Sequence, residues 1–218
     1  MRLNRSWEAI RKILKRDRNN VSRFSAWLYA FRFLLIFSVS CAIGILIVSN
    51  TSCAQDYNEK FKAYFSLFYP SDAFRWIGNV SYASLFEASL LALSLFSALT
   101  YFCPAVIHGV NLIGGIVYGI CIQAVTESKA VSSEIIFVYV LNISCFAILL
   151  ALWSSELLRL NSKCTIGSQK KNTRSLIYVS PLIRDLLKSS AVAFLIFAAF
   201  RFTASLILTA AVLLSQYQ

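Results

Sequence analysis

The sequence predicts an all-α membrane protein, a polytopic bundle of about five transmembrane helices with interfacial amphipathic helices. Three observations lead there. Hydrophobic residues make up 58% of the chain and charged residues 14%, against about 25% charged in soluble domains. Five apolar segments meet or approach the roughly 20 helical residues that a bilayer core of about 30 Å requires. The basic residues are unevenly divided among the stretches that connect them.

The amino-terminal residues 1–30 form a basic segment that is expected to be cytoplasmic. From Trp7 to Arg18, the apolar residues Trp7, Ile10, Ile13 and Leu14 recur at helical spacing, with Arg11, Lys12, Lys15, Arg16 and Arg18 on the other faces. That pattern suits a helix lying on an anionic membrane surface. The apolar run that follows lacks a small-residue cleavage site and has the length of a full span, so it is read as a helix rather than a cleavable signal.

The five expected spans are Phe31–Asn50, Ser84–Pro104, Gly109–Val125, Ile135–Ser155 and Ala191–Leu214, within one transmembrane domain covering 31–218. Unpaired backbone groups are not tolerated in hydrocarbon, so these runs must be helical. Pro104 and Gly109 place a tight turn between the second and third spans. The alternative for 84–125 is one span followed by a re-entrant half-helix, because seventeen residues is a short crossing.

Nine Lys and Arg residues lie from Arg2 to Arg32 and seven from Arg159 to Lys188, whereas Lys60, Lys62, Arg75 and Lys129 occupy the remaining connections. Cytoplasmic loops are enriched in Lys and Arg. The expected orientation is therefore N-terminus in and C-terminus out, with 51–83 as an outer segment and 156–190 as a basic cytoplasmic loop. In the outer segment Tyr57, Phe61, Tyr64, Phe65 and Phe68 recur at helical spacing before Pro70, which predicts an aromatic helix at headgroup level. Phe61, Tyr64, Phe65, Phe68 and Trp76 are candidate partner contacts, and simple membrane anchoring is the plainer alternative.

Arg201 stands alone as a basic residue inside a span, where it is expected to face protein or water. Glu87 is the acidic candidate for pairing. From the expected boundaries Glu87 lies about 5 Å below the outer edge and Arg201 about 20 Å, so a pair between them is not assumed. Asn142, at about 10 Å, is the closer hydrogen-bond candidate. Gly115 and Gly119 form a GxxxG spacing that favours close helix packing within the chain first and homo-oligomerisation second.

No HExxH, GxSxG or P-loop pattern occurs, and the single histidine, His108, and six scattered cysteines without a CxxC make no metal or triad framework. No catalytic residue, metal or cofactor is therefore assigned, and the chain is not read as an enzyme. Nucleic acid is not expected as a partner, since the basic residues flank apolar spans; the lipid bilayer is.

The order of features resembles the stage II sporulation protein M family of endospore-forming bacteria. The likeness covers nearly the whole chain at the level of architecture. It consists of a basic N-terminus before one span, an aromatic outer segment (FKAYFSLF), a hairpin with proline at its turn (FCPAVIHG) and a glycine-bearing helix (GVNLIGGIVYG). Another span, a basic loop and a final span follow. The resemblance implies a non-catalytic plasma-membrane scaffold that assembles partner peptidoglycan hydrolases during engulfment of the forespore. The competing expectation is a permease-like membrane subunit of a transporter, with Arg201, Asn142 and the glycine helix along a pathway.

Overall fold

The computed structural model describes residues 27–49, 63–68, 73–98, 100, 102–127, 132–169 and 175–214; for 73, 163–169, 175–183 and 185 it describes the backbone alone. The expected Trp7–Arg18 surface helix, and Phe61 with it, lie outside these residues. The secondary structure of the described residues is helical throughout. The chain forms α1 (Trp27–Ser49), α2 (one turn, 63–66), α3 (Ala73–Ala83), α4 (Leu85–Ser97), α5 (Cys103–Glu127), α6 (Ser133–Gln169) and α7 (Ser175–Leu214).

Four helices are long and apolar enough to cross a bilayer, and α3 with α4 makes a fifth crossing if the bent pair is counted as one span. The protein is thus an integral membrane helical bundle. Its outward surface carries Leu35, Val39, Leu46, Phe96, Ile113, Phe137, Leu195 and Ile207 exposed. Contiguous apolar surface of this kind is a liability in water and the natural covering in lipid.

The second crossing departs most from its expected limits. It begins at Phe74, ten residues before Ser84, and bends by 53° at that serine. The carbonyl of Ser81 accepts both the N–H of Ser84 (3.2 Å) and its hydroxyl (2.9 Å), while the Ser81 hydroxyl bonds back to the carbonyl of Ile77. Serine hydroxyls that compete for backbone carbonyls bend helices in this way. At its other end α4 stops at Ser97, and Asn161 of α6 donates to the exposed carbonyls of Ala98 (2.8 Å) and Thr100 (3.0 Å). Those carbonyls lack intrahelical partners, so a side chain from a neighbouring helix completes the terminus.

Pro104 therefore does not end the second crossing. It occupies the first turn of α5, where its missing N–H costs no helical bond. Gly109, expected in a turn, lies inside α5, and the helix is 25 residues long, enough to cross fully. The turn falls at 98–102 instead. The stretch expected as a basic loop, 156–190, is also shorter as a loop: α6 runs on to Gln169 and α7 starts at Ser175.

Candidate functional site: a buried ion pair beside a cavity

Arg201 and Glu87 are brought together. The Arg201 Nη1 lies 3.2 Å from Glu87 Oε1, and the two residues are 4% and 6% exposed, so the pair is held away from solvent. Their separation, inferred from hydropathy, is removed by the extra residues of α3 ahead of Ser84. Counted from Phe74, Glu87 is about 20 Å along its crossing, and Arg201 is a similar distance from the end of α7 at Leu214. Both charges sit deep between α4 and α7. Trp76 on α3 donates its indole N–H to the Thr209 hydroxyl (3.1 Å) and meets Phe202 edge-on, which ties α3 to α7 in this register.

Three tyrosines surround the pair. Tyr118 of α5 donates its hydroxyl hydrogen to Glu87 Oε1 at 2.7 Å, so one carboxylate oxygen serves two donors. The Tyr64 hydroxyl lies beside the Arg201 guanidinium, and the Tyr139 hydroxyl beside the Cys121 thiol. Tyr118 is positioned by rings on three sides: Phe37 of α1, Phe86 of α4 and Phe146 of α6. Together with Ala83, Val117, Ile120, Asn142 and Ile143, these residues line a cavity of about 300 Å³.

Asn142 lines the cavity with Arg201, but its Oδ1 accepts no hydrogen bond. Glu87 Oε2 and Arg201 Nε and Nη2 are also buried without hydrogen-bond partners among the described residues. Burying an unpaired polar atom in hydrocarbon or protein is costly, and four of the eight such atoms among the described residues belong to residues that line this cavity.

The aromatic segment is turned inward. Phe65 and Phe68 are 6% and 1% exposed, and Tyr64 and Phe65 pack edge-on against Tyr139 of α6. Asn79 of α3 donates to the carbonyl of Leu67 and pins the turn. Phe65 and Phe68, expected at headgroup level as candidate partner contacts, are thus core side chains, with Phe65 against Tyr139 and Phe68 against Tyr64. Trp76 is half-buried against α7.

Gly115 and Gly119 pack as closely as their spacing suggests, against α1. A Cβ built on Gly119 would stand 2.0 Å from the Cys41 carbonyl oxygen, and one on Gly115 2.5 Å from that of Phe37. Gly44 of α1 reciprocates, with 2.2 Å to the Ile116 carbonyl oxygen. The Cα hydrogens directed there make the Cα–H···O geometry that recurs where membrane helices touch backbone to backbone. A second buried polar contact lies nearer the basic end. Asn111, fully buried, donates to the Ser154 hydroxyl at 2.9 Å and to the Ile107 carbonyl. His108 stacks obliquely on Phe33, and its Nδ1 lies 2.6 Å from the Pro104 carbonyl oxygen.

Sequence reasoning missed Tyr118, Tyr139, Cys121 and Gly44 as members of these contacts. The available signal was that Tyr118 and Tyr139 carry hydroxyls inside otherwise apolar runs, where a hydrogen-bond partner is required. Among the described residues no group of three or more His, Cys, Asp or Glu side chains is arranged to hold a metal.

Fold and site define a polytopic α-helical membrane protein with an ion pair buried at mid-span. Compared with family models, curated proteins and solved structures, the chain matches none.

Proposed function

We propose that the protein is a non-catalytic scaffold of a bacterial plasma membrane, which assembles other proteins, among them cell-wall hydrolases, at the membrane surface. The observation that carries this reading is the fastening of the aromatic end. Trp76 is bonded to Thr209, Asn79 to the Leu67 carbonyl, and Tyr64 and Phe65 are stacked on Tyr139. Residues that would otherwise form a loose connection are thereby held as a fixed surface, and α3 offers Phe74 on it, 84% exposed. The likeness to the sporulation family points the same way. The charge distribution supports the N-terminus inside and the C-terminus outside, with the fastened surface facing out.

A photo-crosslinking residue in place of Phe74 tests the reading in native membranes. It is expected to yield an adduct with a cell-wall hydrolase, whereas the same residue at Leu195, on the apolar face of α7, yields lipid adducts. Lipid adducts from both positions would remove the scaffold reading. A membrane-impermeant thiol reagent added from outside should label Cys53 and spare Cys164; the reverse pattern overturns the orientation.

A second reading, a permease-like membrane subunit of a transporter, is favoured by the cavity. Ionisable residues within membrane spans commonly mark substrate or ion pathways. Solute movement by the purified chain in liposomes, lost in Arg201→Gln, would support this reading over the scaffold.

A further inference from the structure

The hydrogen bonds missing around the cavity form a pattern. Glu87 engages Arg201 through Nη1, which leaves Nε and Nη2. In a guanidinium these two nitrogens direct parallel N–H bonds from one edge, the fork that fits both oxygens of a carboxylate. The other two unpartnered atoms, Glu87 Oε2 and Asn142 Oδ1, are acceptors and suit an ammonium group. Tyr64, Tyr118, Tyr139 and Phe86 present aromatic rings around the same space, and ring faces attract cations.

Charge decides between an anion, a cation and a molecule with both groups. Glu87 and Arg201 cancel each other. A lone carboxylate or ammonium would leave one uncompensated charge deep in the bundle, at a cost of several kcal/mol. A zwitterion leaves none. At about 300 Å³ the cavity is at the small end of ligand sites, which run from about 300 to 1,000 Å³.

We propose that this cavity binds a small zwitterion, an amino acid or short ω-amino acid, with its carboxylate on the free edge of Arg201 and its ammonium between Glu87 and Asn142. All four unpartnered atoms are shut off from water-sized space as the side chains stand, so the guest must displace a side chain to reach them. The Tyr64 hydroxyl, beside the Arg201 guanidinium, is the group that the guest carboxylate replaces there. The inference rests on the cavity and holds for a scaffold as well as for a permease.

The test uses the full chain in neutral phospholipid nanodiscs, with glycine, β-alanine and γ-aminobutyrate as probes and with acetate and methylammonium as their separated halves. At least one zwitterion is expected to raise the thermal midpoint and to bind in calorimetry, and neither half is expected to do so. Asn142→Leu should bind that zwitterion about tenfold more weakly, the loss of one hydrogen bond to a charged group, with the ligand-free midpoint no lower, because a buried unpartnered oxygen is removed. Val117→Phe, which fills the cavity from its lining, should abolish the response. The proposal is overturned if no zwitterion binds, if acetate binds as well as the zwitterion, or if both variants bind like the parent protein. Binding without flux in liposomes supports the site while counting against the permease reading alone.

Discussion

Two of the seams in this bundle are closed by opposite means. The α1–α5 seam is steric: Gly44, Gly115 and Gly119 let two backbones touch, and no charge is involved. The seam joining α3 and α4 to α7 is polar, built from the Glu87–Arg201 pair and the Trp76–Thr209 hydrogen bond. Removing an atom from the polar seam leaves something unpaired. Adding an atom to the glycine seam leaves no space. The two should therefore fail under different substitutions, and the difference can be measured.

The largest effect is expected at the ion pair. Glu87→Ala leaves Arg201 buried without its counter-ion and should destabilise the protein by about 3 kcal/mol. The double substitution Glu87→Ala with Arg201→Met should recover most of that loss, because no charge then remains. Reversible unfolding in detergent would measure both, and a double variant no more stable than the single one would mean that the pair is not the source of the cost. A smaller loss is expected at the steric seam. Gly119→Ala directs a methyl at the Cys41 carbonyl and should cost about 2 kcal/mol, whereas Gly109→Ala, with nothing within 4 Å of the new atom, should cost nothing. Alanine favours a helix over glycine, so equal effects at the two positions would show that the contact with Cys41 does not govern the seam. The smallest effect is expected for Trp76→Phe, which keeps the ring and removes the bond to Thr209; interhelical hydrogen bonds in membranes average about 0.6 kcal/mol. A loss several times larger would make Trp76 the chief fastening of α3 rather than an accessory one.

The two seams also differed in how far they could be read from sequence. Gly115 and Gly119 announce close packing by spacing alone, since four residues return a helix to the same face. The partner glycine, Gly44, lies four residues from Ser40, a weaker small-residue spacing, and only the structure pairs the two stretches. Four crossings were legible in hydropathy because long apolar runs in lipid have no alternative to helix. The second was misplaced because α3 contains Arg75, Asn79 and Ser81, which dilute its apolar signal although it precedes α4 in the same bent pair. That error propagated to the depth of Glu87 and concealed the ion pair. The inward turn of Phe65 and Phe68 was illegible for another reason. Aromatic periodicity marks a helical face, and it does not say whether that face meets lipid, water or Tyr139.

The Glu87–Tyr118 hydrogen bond has a consequence for how the chain is made. Synthesis delivers Glu87 to the membrane long before Arg201 exists, so the carboxylate enters without its counter-ion. Tyr118 follows after only 31 residues, on the very next crossing, whereas Trp76 waits 133 residues for Thr209. Of the two groups that meet Glu87 Oε1, the phenol is therefore made first and the guanidinium of α7 second.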